Sequence, residues 1–119
     1  MGAALAAQCT NDQGKFWQFH NLLYSNQKPI DSGWVSKENL KKFALQIPGV
    51  DTQQFNSCFD NEKYKSLVQK DIDLALSFGF SETPSFIVEN SNVSNPEMLS
   101  GALPFDSFKA VVEKKISAG

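Results

Sequence analysis

The stretch Gly79-Phe80-Ser81-Glu82-Thr83-Pro84-Ser85-Phe86-Ile87-Val88 constrains the chain more than any other. A helical pattern ends in it, and a Thr-Pro step then opens a short apolar strand. Pro84 has no backbone N–H to give a sheet, so at the mouth of a strand it marks the first strand residue. Its ring also holds Thr83 extended. An X-Pro bond is where a cis peptide is cheap, and a cis proline in a tight turn leaves the preceding backbone turned outward. Such a step makes a docking edge for a second extended chain. Everything before it reads as helix, and everything after it as a hairpin and a closing helix.

Ala3 to Cys9 has alanine's helix propensity, and Asn11-Asp12-Gln13-Gly14 breaks the pattern. Phe16, Phe19, Leu22 and Leu23 then share a helical face between Lys15 and Tyr24, flanked by Trp17 and His20. Ser25 to Val35 reads as a loop in which Ile30 and Trp34 are expected to anchor onto the helices. Ser36 is an N-cap for a helix reaching about Leu45, with Leu40, Phe43, Ala44 and Ile47 as its stripe. Asp51 caps a short helix carrying Phe55, Cys58 and Phe59. Asp60 or Asn61 is expected to cap the longest helix, about Glu62 to Phe78, ended by Gly79. Its wide apolar face would be Tyr64, Leu67, Val68, Ile72, Ala75, Leu76 and Phe78.

Phe86-Ile87-Val88 is dense enough to be a central strand covered on both faces. Asn90 to Pro96 reads as a polar turn, with a weaker strand near Met98 to Ser100. Pro104 opens a last helix with Phe105, Phe108, Val111, Val112 and Ile116 toward the core and Lys109, Glu113, Lys114 and Lys115 outside. Two strands make a marginal sheet. A covering element is therefore expected upstream or on a partner, and the alanine-rich opening, which reads like the end of a helix, points to a fragment.

The charges exclude some functions. Eleven basic and thirteen acidic side chains, interspersed along 119 residues, give a formal charge of −2, against a nucleic-acid footprint or a polybasic membrane patch. With two distant cysteines and one histidine, a Cys/His zinc site would lack a fourth ligand, so no metal or cofactor is expected. His20 is read as structural, since no serine or cysteine motif places a nucleophile beside it. Asp71 and Asp73 lie on adjacent sides of a helix and are not read as an acid/base pair. Phe16, Trp17, Phe19 and Trp34 are read as helical-domain core rather than a ligand cage.

A helix ending in Gly79, then Thr-Pro-Ser-Phe-Ile-Val, a turn, a weak strand, Ser-Gly-Ala-Leu-Pro-Phe and a Phe-rich helix resembles the C-terminal half of a DsbA-like thiol-disulfide oxidoreductase. Ala7-Gln8-Cys9 and Gln13-Gly14-Lys15-Phe16-Trp17-Gln18-Phe19-His20-Asn21-Leu22-Leu23-Tyr24 resemble that family's helical insertion. The resemblance covers nearly the whole chain, in order. It implies an α/β, thioredoxin-like fold of DsbA type, truncated here to a helical insertion domain (1–78) and a C-terminal ββα part (79–119). It further implies that Thr83 and Pro84 form the cis-Pro loop that binds substrate backbone beside a redox dithiol. The implied partners are unfolded or extended proteins and a redox partner protein, and the implied location is extracytoplasmic.

The departure is that this sequence holds no Cys-x-x-Cys. Dithiol exchange needs an activated thiolate with a resolving thiol beside it, so the chain alone is expected to be inactive. Two readings stand for Cys9 and Cys58: small buried hydrophobes, or a structural disulfide joining the first helix to the fourth and worth about 2–4 kcal/mol. Two other functions stay open, a non-catalytic peptide-binding module and a relative of the glutathione-dependent kappa-class transferases and isomerases. An uncovered strand edge would also let the chain pair as a homodimer. A strictly monomeric sedimentation profile at high concentration counts against that pairing.

Overall fold

Helix formers, caps and turn residues divide the described residues into six helices and one hairpin. The structure, a computed structural model, describes residues 1–118. The helices are α1 (Gly2–Asn11), α2 (Phe16–Ser25), α3 (Lys37–Leu45), α4 (Thr52–Asp60), α5 (Lys65–Ser77) and α6 (Phe105–Ala118), with β1 (Ser85–Asn90) and β2 (Val93–Ser100) between α5 and α6. Packing separates two compact units, Met1–Ile72 and the chain from Asp73 onward, and the division falls inside α5. No helix among the described residues is long and apolar enough to cross a membrane.

The first unit has a true core. Leu5, Ala6, Cys9, Phe19, Leu40, Ala44, Ile47, Phe55, Phe59 and Val68 are buried there, drawn from all five helices and the turn after α3. Local chemistry fixes the helix ends. Ser36 Oγ accepts from the Asn39 N–H at 3.1 Å, and Asp51 Oδ1 from the Gln54 N–H at 2.9 Å, each satisfying a first-turn donor. The Gln13 amide clamps the Asp51 backbone, donating to its carbonyl at 3.0 Å and accepting from its N–H at 2.7 Å. Asp60 meets Lys37 and Lys41 at 2.9 and 2.8 Å, which ties the end of α4 to α3. Lys41 and then Lys37 hold the Asp60 carboxyl below its ordinary value.

Several sequence expectations need correction. Ile30 does not anchor its loop but is 88% exposed, and Trp17 is exposed rather than core, while Trp34 does pack edge-on against Phe43 at 6.3 Å. The fifth helix starts at Lys65, not Glu62, because α4 closes first. The Glu62 and Lys63 N–H groups bond back to Phe59 and Cys58, with Glu62 in the left-handed region at φ +50. At 13 residues α5 is also shorter than α6, at 14. Of its expected apolar face only Val68 is buried, while Leu67, Ile72 and Leu76 are exposed.

In the second unit β1 and β2 form a two-stranded antiparallel sheet running from Ser85↔Ser100 to Asn90↔Val93. The second strand begins at Val93 rather than near Met98. Its register shifts between Val88 and Asn90, and this irregularity lets Pro96 sit in a strand without a ladder donor. The hairpin turn is accordingly short, and Asn90 Oδ1 accepts from the Asn92 N–H at 2.9 Å.

Nor do the described residues cover β1 on both faces. Helix α6 lies against the sheet, with Phe86 and Phe108 edge to face at 5.1 Å and Asn90 Nδ2 donating to the Lys115 carbonyl at 2.9 Å. Phe105 and Ile116, expected in the core, are exposed, and Lys115, expected outside, is 6% exposed. Its stem lies along the helix–sheet contact, and its ammonium donates to the Asn95 carbonyl and faces Glu97 at 3.7 Å.

Candidate functional site

The Thr83–Pro84 step is placed by what flanks it. Helix α5 ends in paired bonds, Gly79 N–H to Leu76 and Phe80 N–H to Ala75 at 2.9 and 3.2 Å, with Gly79 at φ +77. That closure needs a left-handed residue, which glycine supplies without steric cost. Four residues later the Thr83–Pro84 peptide bond is cis. The Pro84 carbonyl accepts from the Gly101 N–H at 2.7 Å, and the ladder continues inward from Ser85↔Ser100. Ser85 Oγ donates to the Glu82 carbonyl and steadies the approach. Thr83 and Pro84 are both exposed, and among the described residues no strand pairs with β1 on the side away from β2. The step thus opens onto an unpaired sheet edge.

Cys9 and Cys58 are joined in a disulfide that links α1 to α4, with Cα atoms 5.8 Å apart and a sequence separation of 49. The chain therefore carries one thiol/disulfide couple, although not in a Cys-x-x-Cys turn. Both cysteines are buried, and they differ in what they face. Cys9 is 1% exposed, whereas Cys58 is 8% exposed and lines a cleft of about 420 Å³ with Asp12, Gln54, Ser57, Asn61 and Lys63.

A polar cluster missed by sequence reading sits over this disulfide. Asp12, just past α1, accepts from Lys63 Nζ at 2.8 Å and from the Tyr64 hydroxyl, and its Oδ2 lies 3.9 Å from Cys58 Sγ. Its carboxyl is held below the ordinary value by the Lys63 hydrogen bond first and the Tyr64 hydrogen bond second. The same contact raises both Lys63 and Tyr64. Asp12 is consequently an anion and Lys63 a cation at neutral pH. Separations of 51 and 52 residues hide this cluster from any local pattern.

His20 is half-buried in an aromatic row, 5.2 Å from Trp17 and 4.8 Å from Tyr24 between ring centroids, with Nδ1 at 3.1 Å from Asn21 Oδ1. No nucleophile faces it in these contacts. Among the described residues no group of three or more His, Cys, Asp and Glu side chains is placed to hold a metal ion.

A family model described as thioredoxin matches residues 1–114. The chain belongs to that family, and within it is DsbA-like. It is 31% identical over 118 residues to the probable disulfide bond formation protein D of Bacillus anthracis, covering 98% of this chain and 51% of that protein. To the disulfide bond formation protein D of Bacillus subtilis it is 27% identical, over 96% of this chain and 50% of the relative. A putative protein-disulfide oxidoreductase of Rickettsia felis is also 27% identical, over 99% of this chain and 42% of the relative. The chain thus spans about half the length, or less, of these relatives. No solved structure matches it.

Proposed function

We propose that this chain is the helical and substrate-docking portion of a DsbA-type protein thiol-disulfide oxidoreductase that acts on exported proteins outside the cytoplasm. In this reading the helices of the first unit are the insertion, and the redox dithiol lies in the part of the polypeptide beyond these residues. A substrate thiolate attacks that dithiol's disulfide, one new sulfur–sulfur bond forms as the old one breaks, and the substrate's second thiolate releases the oxidised product. Thr83 and Pro84 hold the extended substrate backbone beside the exchanging sulfurs.

The observation that carries this reading is the exposed Thr83–Pro84 step at an unpaired sheet edge, in a chain similar along its length to proteins named for disulfide formation. The second unit supports it from energetics. Among the described residues its buried side chains include no apolar one, while Leu74, Leu76, Met98, Leu103 and Phe105 are exposed. A hairpin and one helix bury too little to stand alone, so the rest of a thioredoxin-like domain supplies the missing cover. In isolated chains a second copy competes for the same edge.

The test is oxidative refolding of a reduced substrate protein, run with this chain alone and with the full polypeptide its gene encodes. The chain alone is expected to leave the uncatalysed rate unchanged, and the full polypeptide to raise it at least about tenfold, the ratio that about 1.4 kcal/mol off the barrier produces. Equal rates from the two, or a gene that encodes no dithiol beyond this chain, would overturn the proposal and leave a non-catalytic docking module.

A further inference from the structure

The structure assigns Cys58 as the sulfur at which a small peptide thiol opens the Cys9–Cys58 disulfide, with the neighbouring cleft as the site that receives it. This site is separate from the docking edge and does not depend on it. Attack on a disulfide requires access to one sulfur, and the choice of sulfur fixes which cysteine leaves. Both cysteines belong to the buried core cluster, and of the two only Cys58 also lines the cleft. At about 420 Å³ the cleft falls within the range that holds small ligands.

Its lining fits a thiol of the glutathione type. Gln54, Ser57 and Asn61 supply neutral polar groups, and Lys63 supplies a cation whose side chain is 57% exposed. Both oxygens of the one carboxylate in this lining, Asp12, are already engaged, by Lys63 and Tyr64. Lys63 Nζ spends one of its three N–H groups on Asp12 Oδ2, which also lies 3.9 Å from Cys58 Sγ, and its others can meet a glutathione carboxylate while the thiolate reaches that sulfur. In the step the incoming thiolate forms a bond to Cys58 Sγ as the Cys9–Cys58 bond breaks. The electron pair passes to Cys9 Sγ, and the proton given up when the incoming thiol ionised ends on that sulfur. One disulfide is consumed and one is formed, so no outside oxidant or reductant is needed beyond the thiol.

Cys9 is a poor leaving group, because apolar burial raises a thiol's pKa, so the exchange is slow and readily reversed. The test incubates the chain with excess reduced glutathione, quenches with acid, blocks free thiols with a maleimide and maps both cysteines by mass spectrometry. Glutathione is expected on Cys58 and maleimide on Cys9, at least about tenfold over the opposite arrangement, which is the ratio that a difference of 1.4 kcal/mol in barrier produces. Adducts mainly on Cys9, or in equal amounts on both, would overturn the assignment. So would no adduct at either position when the urea-unfolded chain forms one under the same thiol. Lys63→Gln is expected to slow glutathione about threefold relative to 2-mercaptoethanol, the scale of a partly exposed ion pair. An unchanged ratio would remove Lys63 from the site.

Discussion

Replacing Cys9 and Cys58 together by alanine is expected to lower the stability of the helical unit by about 4 kcal/mol, within the 2–5 kcal/mol typical of removing a native disulfide. The estimate comes from the chain entropy released when a loop closed over a separation of 49 residues is opened in the unfolded state. The native state has other links across the same helices, since Asp12 meets Lys63 and Tyr64 and Gln13 clamps Asp51. These links hold the folded geometry but do not restrain the unfolded chain, so they cannot replace the bond. Urea unfolding followed by helical circular dichroism measures the change. A loss below about 1 kcal/mol would show that the bond adds little to what packing already provides.

Phe55→Ala is expected to cost about 3–5 kcal/mol, the range for removing a fully buried aromatic ring. Phe55 is 1% exposed and lies between two other rings, Phe59 stacked at 5.6 Å and Phe19 tilted at 6.5 Å. Losing it leaves a cavity in the middle of the only buried apolar cluster among the described residues, and its neighbours cannot collapse without moving α2 against α4. The matched comparison is Phe105→Ala, at a ring 75% exposed, which should change stability by no more than about 0.5 kcal/mol. Equal costs at the two positions would contradict the division into a packed helical unit and an uncovered second unit.

The helix ends and the first unit's core were legible because their causes are local. Ser36, Asp51 and Gly79 each act within a few residues, and Leu40, Ala44 and Ile47 mark one face by spacing alone. The Thr83–Pro84 step was legible for the same reason, as punctuation between a helix and a strand. Apolar spacing marks a face that packs but not where its cover lies. Leu67, Leu76, Phe105 and Ile116 have core spacing on their helices but remain exposed. Lys115 failed in the opposite sense, because a long side chain can bury its stem while its ammonium reaches a carbonyl and a carboxylate. Nothing local marks Asp12, Lys63 and Tyr64 as partners, since only the folding of α1 against α4 brings them together.

Amide chemical-shift mapping tests whether the edge at Thr83–Pro84 receives an extended peptide, as proposed above. A short extended peptide whose cysteine is S-methylated, so that it can dock but not exchange, is titrated into the labelled chain. Saturable shifts confined to the amides of Thr83, Ser85, Phe86 and Ile87 and their cross-strand neighbours are expected. Saturable shifts confined to the helical unit, or none at any peptide concentration, would contradict the proposal.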